Sequence, residues 1–263
     1  MIKKYLIVLL ILVFTFSLHP IHFVSASNKV EDIKKASSVI QTGEKLNYTI
    51  KWNGLTAAKM SLQTDKTTKD NKAFYRLELK LATIGLARDI FQMNNSYTAF
   101  VDAITELPRI VERNLSQGTK TEQSALIYDQ EKHTVTIANE KSIDIVPNTH
   151  DLSSILWAIR SASLKPEGEK IAIFNSGDKK TLFSQIEIGK REEITLAKGN
   201  FYIRELVVKI QDQEKVFSDK YAIRVWVTDD ERRVPVLITA QPSFGKIKIE
   251  LLDSESEENN YEK

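Results

Sequence analysis

The sequence predicts a mainly β protein: a large curved antiparallel sheet, or an open barrel-like meander, covered by one short amphipathic helix. Three observations carry this expectation. Apolar and polar residues alternate through most of the chain, turn-forming residues separate the alternating runs, and one segment switches to the helical period.

The alternation starts in "KLNYTIKW", where Leu46, Tyr48, Ile50 and Trp52 share one face. In "FYRLELKLA", Tyr75, Leu77, Leu79 and Leu81 fall on one side and Arg76, Glu78 and Lys80 on the other. Ile186 and Ile188, then Leu206, Val208 and Ile210, then Ile247, Ile249 and Leu251 repeat the pattern. A period of two marks strands with one face in a core and one in water. Asn53-Gly54, Gln117-Gly118, Ser176-Gly177-Asp178 and Lys198-Gly199-Asn200 supply the turns between runs. The reading is about ten to thirteen strands in an antiparallel meander. In "HDLSSILWAIRSASLKPEG", by contrast, Leu152, Ile155, Leu156 and Ile159 are spaced i, i+3, i+4, i+7, with Asp151 placed to cap the start and Pro166 to stop the end. A sheet of so many strands has two edges to protect, and closing or capping it removes that hazard.

The ends differ from the middle. Lys3 and Lys4, an uncharged apolar run from Tyr5 to Leu18, and small residues at Val24, Ser25 and Ala26 form the three-part pattern of a secretory signal, with cleavage expected after Ala26. The run is too short for the roughly 20 residues that span a bilayer, and no second long apolar run follows, so no transmembrane span is expected in the mature chain. Residues 27–42 read as a polar lead-in with a helical turn around Val30 to Ala36, residues 43–253 as a single β-rich domain, and 254–263 as an acidic flexible tail. The localisation expected is export: the periplasm where the host has an outer membrane, otherwise secretion. The chain has no cysteine, which excludes disulfides and lipidation on an N-terminal cysteine. Removing Lys3 and Lys4 from 37 basic residues leaves 35 against 35 acidic ones. That balance argues against nucleic-acid binding, which needs clustered positive charge.

Chemistry has few places to reside. His19 and His22 leave with the signal, which leaves His133, at an expected hairpin tip, and His150, beside the helix cap. No G-x-S-x-G elbow and no helical zinc spacing occurs. Paired carboxylates are the remaining route to hydrolysis. Glu192-Glu193 point to opposite faces of a strand. The run "DDERR", Asp229 to Arg233, lies between Ile223, Val225, Val227 and Val234, Val236, Ile238, and reads as a hairpin loop whose carboxylates meet solvent or Arg232 and Arg233. Asp229 is the residue expected to accept backbone N–H groups across that loop. No metal and no cofactor is expected.

The same residues carry a family resemblance. "IKWNGLTAAKMSL", "LPRIVERNLSQGTKTEQSALIYD", "HDLSSILWAIRSASLKPEG", "LAKGNFYIRELVV" and "VWVTDDERRVPVLITAQPSFGKIKIEL" occur in that order. Together they resemble the exported bacterial family catalogued as domain of unknown function 3108, over about Gly43 to Asp253. The resemblance places family-motif residues at Gly54, Leu55 and Ala57, at Asp151 and Ser154, and at Trp226, Asp229, Asp230, Arg232, Pro235 and Val236. Ala58 stands where the family commonly has a second glycine. The resemblance implies one β-rich envelope domain and no known reaction.

The function expected is that of an exported, non-catalytic envelope protein that binds a lipid or other apolar ligand in a curved β sheet. Trp52, Trp157, Phe201 and Trp226 are the candidate lining residues, although packing in the core is the commoner fate of such side chains. The alternative is an envelope assembly or scaffold factor acting by protein–protein contacts, through a sheet edge or the acidic tail. Less favoured is a hydrolase using Asp151, Ser154 or the 229–233 loop.

Overall fold

A computed structural model of the chain describes residues 41–69, 71–137, 142–163, 165–176, 181–196, 199–210, 222–242 and 245–255. The expected signal segment, and all of the lead-in but residues 41 and 42, lie outside them. The first arm of the fold is β1 (Lys45–Trp52), β2 (Leu55–Lys69), β3 (Lys72–Thr83), the short helix α1 (Gly85–Ile90), β4 (Met93–Asp102), β5 (Pro108–Gln117), β6 (Lys120–Asp129), β7 (Thr134–Ile137) and β8 (Ile143–Asp144). The second arm is β9 (Thr149–His150), helix α2 (Ser154–Ala162), β10 (Lys170–Ser176), β11 (Thr181–Leu196), β12 (Gly199–Ile210), β13 (Ile223–Thr228), β14 (Pro235–Ala240) and β15 (Ile247–Glu255).

All 15 strands of the described residues form one sheet, ordered from β8 back to β1, then from β15 back to β9. The expected meander is therefore two meanders, joined where the first strand pairs antiparallel with the last, Ile50 opposite Ile249. Laid flat, fifteen strands about 4.8 Å apart would separate β8 from β9 by about 65 Å. Yet Asp144 and Thr149 are five residues apart, and five residues reach about 18 Å at most. The sheet must curl until its edges approach, without β8 and β9 pairing. It is an open, barrel-like antiparallel sheet.

Among the described residues the one parallel pair is β9 with β10, Phe174 opposite Thr149. A parallel neighbour needs a crossover connection, and α2 is that crossover. Alternation does what the sequence pattern predicts: Leu46, Tyr48 and Ile50, Leu77, Leu79 and Leu81, Ile186 and Ile188, and Leu206 and Val208 are all buried in one core cluster on the inner face. Trp157, Ile159 and Ala162 of α2 join that cluster, so the helix packs inside the curl. Burying a side chain the size of Ile or Leu contributes about 1.5–3 kcal/mol.

Three expectations need correction. The strand count is higher because β8 and β9 have two residues each, too few to show a period. A second helix, α1, exists with no buried residue. It had no apolar stripe to reveal it. Finally, Ser254 and Glu255, expected to open the acidic tail, extend β15 and pair with Leu46 and Lys45. Ladder hydrogen bonds need backbone, not apolar side chains.

Candidate functional site

Helix α2 is held at its start, middle and end by polar groups. Asp151 Oδ2 accepts the Ser153 N–H at 2.8 Å and Oδ1 the Ser154 N–H at 3.0 Å, while Ser154 Oγ accepts the Asp151 N–H at 3.1 Å. This reciprocal capping satisfies donors that a helix start leaves orphaned. The helix proper begins at Ser154, with Ser153 in the cap position making no side-chain cap bond. Asp151 caps from further upstream, its carbonyl accepting the Ile155 N–H. At the other end Arg204, buried on β12, donates from Nη1 to the carbonyls of Ser163 (3.2 Å) and Lys165 (2.6 Å). A cation there complements the helix dipole. Burial, then the nearby Arg191, lowers the Arg204 pKa below its usual value.

The middle is the least expected. Arg160 and Glu44 are each 1% exposed and form a two-pronged ion pair, Nη1 to Oε2 at 2.7 Å and Nη2 to Oε1 at 3.0 Å. Arg160 Nη2 also donates to the Arg232 carbonyl at 2.6 Å, and the Arg232 guanidinium lies 3.5 Å from Glu44 Oε1. Glu44 stands directly before β1, and its carbonyl accepts the Thr64 N–H from β2. One buried pair thus ties α2 to the sheet centre and to the loop 229–234. Tyr48 is buried on the same face of the β1 segment as Glu44. Burial raises its phenol pKa far above the usual range, Glu44 adds to that, and Arg160 and Arg232 oppose it.

The run Asp229 to Arg233 is a hairpin loop between β13 and β14, as its flanks predict. Its carboxylates divide the work differently from the expectation. Asp230, not Asp229, holds the turn: its Oδ1 accepts from the backbone of Arg232 and Arg233 at 3.1 and 3.0 Å, and from Thr228 Oγ1 at 2.6 Å. Asp229 pairs with Arg233 at 2.6 Å and with Arg191 at 3.0 Å. Arg233 sits at a φ of 51°, which the turn imposes. Replacing Asp230 with alanine should therefore cost about 1.5–3 kcal/mol, the range for losing hydrogen bonds to a charged acceptor, and Asp229→Asn less. Urea denaturation of the two variants checks the order.

The four candidate aromatics do not converge. Trp157 is 3% exposed inside the curl, with the Arg160 guanidinium carbon 6.0 Å from its ring centre. Trp52 ends β1 and packs partly against the core beside Gly245. A Cβ on Gly245 would come within 2.6 Å of Trp52 Nε1, so only glycine fits there. Trp226 alternates with the buried Val225 and Val227 and so faces outward. Its Nε1 donates to Glu192 on β11 at 3.2 Å, two strands away. That reach is about 9.5 Å; on β12, between them, Ile203 stands opposite Glu192 and is fully buried. Phe201 shares the Ile203 face of β12 and is half-buried.

The remaining motif residues have local structural tasks. Asn53 (φ 47°) and Gly54 (φ 87°) make the tight β1–β2 turn, where positive φ at both positions matches strand twist. Leu55, just beyond, is 71% exposed. Ala57 and Ala58 are buried, Ala58 completely, opposite Ile50 and Thr83. Pro235 opens β14 opposite Val227, beside a register shift.

His150 and Ser154 come within reach, Nδ1 to Oγ at 3.3 Å. The Asp151 carboxylate, however, is engaged by backbone N–H groups rather than by the imidazole. His150 keeps some surface, yet burial lowers its pKa from 6.5 to about 4, so the ring is neutral at pH 7. A histidine that protonates more readily unfolded than folded stabilises the fold above pH 6.5 and loses that contribution as pH falls towards 4. Melting curves should decline across this window by no more than about 1.4 kcal/mol per pH unit from this group, and His150→Gln should flatten that decline. His133 is exposed at the β6–β7 turn, and among the described residues no group of three or more His, Asp or Glu side chains is placed to hold a metal ion. None of the helices is long and apolar enough to cross a membrane, again among the described residues.

One solved structure agrees on the fold. A β-barrel-like protein of the domain of unknown function DUF1849 from Brucella abortus superposes with a TM-score of 0.56 at 10% identity, covering 82% of this chain and 99% of that one. A DUF1089 family protein from Pseudomonas aeruginosa gives a TM-score of 0.40 at 10% identity, covering 70% and 90%. No curated protein matches the chain. The profile of the family described as protein of unknown function (DUF3108) matches residues 47–252. This protein belongs to the DUF3108 family.

Proposed function

We propose that this DUF3108 protein is an exported, non-catalytic binding protein that takes a lipid or lipid-like apolar chain inside its curled sheet. One observation carries the reading: an apolar inner face continues through both arms of a sheet whose edges, β8 and β9, have no further strand beside them among the described residues. A fully closed barrel has no edge to part, whereas this seam is bridged by residues 145–148 and by Gln130, whose Nε2 donates to the Thr149 carbonyl at 2.9 Å. Apolar clefts with a few placed polar groups are the usual form of small-molecule sites. The end of the sheet bearing the β1–β2 turn and α1 adds an exposed apolar rim, with Leu55, Leu86 and Ile90 at 71%, 79% and 41% exposure. Export rests on the segment from Lys3 to Ala26.

The test is extraction of protein purified without detergent from an expressing bacterium, followed by mass spectrometry of the organic phase. A co-purifying lipid at near-stoichiometric amount is the expected result. Lipid-free protein that also fails to take up a fluorescent fatty acid would overturn the proposal.

A further inference from the structure

We infer that the Arg160–Glu44–Arg232 cluster receives an anionic group, a carboxylate or a phosphate. This deepens the apolar-ligand reading and rests on it for the chain attached to that group. The observation is a local surplus of buried donors. Tyr48 Oη, Thr64 Oγ1, Trp157 Nε1 and the Nε atoms of Arg160 and Arg232 are all buried, and among the described residues none has a hydrogen-bond partner.

These atoms belong to one neighbourhood. Arg160 binds Glu44 at 2.7 Å, Arg232 approaches the same carboxylate at 3.5 Å, and the Thr64 N–H bonds the Glu44 carbonyl at 2.9 Å. The Trp157 ring is 6.0 Å from the Arg160 guanidinium carbon, and Tyr48 alternates with Leu46 and Glu44 on the buried face of the β1 segment. The indole and the two guanidinium Nε groups can only donate, and both hydroxyls can donate as well. Buried polar groups in folded proteins nearly always find partners, so such a concentration of unmet donors points to an acceptor from outside the chain.

Charge chooses among acceptors. Among the described residues two guanidinium groups meet one carboxylate, an excess of one positive charge at the cluster. Of the loop carboxylates, Asp229 is already paired with Arg233 and Arg191, and Asp230 is occupied with the turn. An anion answers both the donors and the charge, whereas water answers only the donors. Access is from the Arg232 side, where that side chain is 27% exposed. An anionic headgroup there would place its chain beside Trp157 and along the apolar inner face.

The experiment titrates wild-type protein and Arg232→Met with oleate, with oleyl alcohol, and with inorganic phosphate against chloride at matched ionic strength. Tryptophan fluorescence and the thermal midpoint are the readouts. Oleate should bind at least about 10-fold tighter than the alcohol, a difference of about 1.4 kcal/mol. Arg232→Met should remove that preference while leaving alcohol binding unchanged. Stabilisation by phosphate alone, lost in Arg232→Met, would identify a free anion as the occupant and retain the site. Equal affinity for oleate and alcohol, with no phosphate effect, would overturn the anion site and leave the apolar reading standing. Binding of neither lipid and no phosphate effect would overturn both. Circular dichroism of Arg232→Met confirms that it is folded, and Arg232→Lys, which keeps the charge, should recover part of the preference.

Discussion

Arg160→Met should destabilise the domain by about 3–5 kcal/mol, because it leaves the Glu44 carboxylate in the interior without its main partner. Both residues are 1% exposed, so solvent cannot replace the lost contact. The variant also frees the Arg232 carbonyl, which receives an Arg160 N–H at 2.6 Å. Glu44→Leu combined with Arg160→Met removes both charges and should recover a large part of the loss, since an apolar pair of similar volume often replaces a buried ion pair at little cost. Urea denaturation of the two single variants and the double variant measures this directly. A loss below about 1 kcal/mol for Arg160→Met, the scale of surface pairs, would contradict a buried latch.

Ile159→Asp should cost more than about 4 kcal/mol, and Leu156→Asp distinctly less. Ile159 is 7% exposed within the core cluster, whereas Leu156 only packs partly against it. An unpaired carboxylate in an apolar interior is among the most damaging single changes. Thermal melts of the two variants establish the order. Equal and small effects would mean that α2 lies on the surface rather than inside the curl.

Much of the fold was legible in the sequence because a strand with one wet face writes its geometry as a period of two. Leu77, Leu79 and Leu81 could hardly be read otherwise. Asp151 and Ser154 were legible as a helix start because capping is local, and Asp229 to Arg233 as a hairpin because alternating runs flank it. What escaped depended on contacts distant in sequence. Arg160 lies 116 residues from Glu44, and taken singly each reads as a solvated charge. The apolar stripe of the helix runs through Leu152, Ile155, Leu156 and Ile159, whereas the face buried most deeply carries Trp157, Ile159 and Arg160. A basic residue at a core position cancels the signal it should have strengthened. Residue type alone suggests an interior place for Trp226, whereas its alternation with Val225 and Val227 puts it outside. The pairing of β1 with β15 had no local signal at all.

Hydrogen–deuterium exchange, followed by mass spectrometry with and without oleate, tests most directly whether this is a curled sheet with an openable seam and an apolar interior. Backbone amides in β1 and β15, at the centre of the sheet, should exchange slowest, and those of β8 and β9 fastest among the strands. Oleate should slow exchange in α2 and at the β8–β9 seam while leaving β1 and β15 unchanged. Seam amides as slow as those of β1 in the free protein, with no response to oleate, would contradict the account.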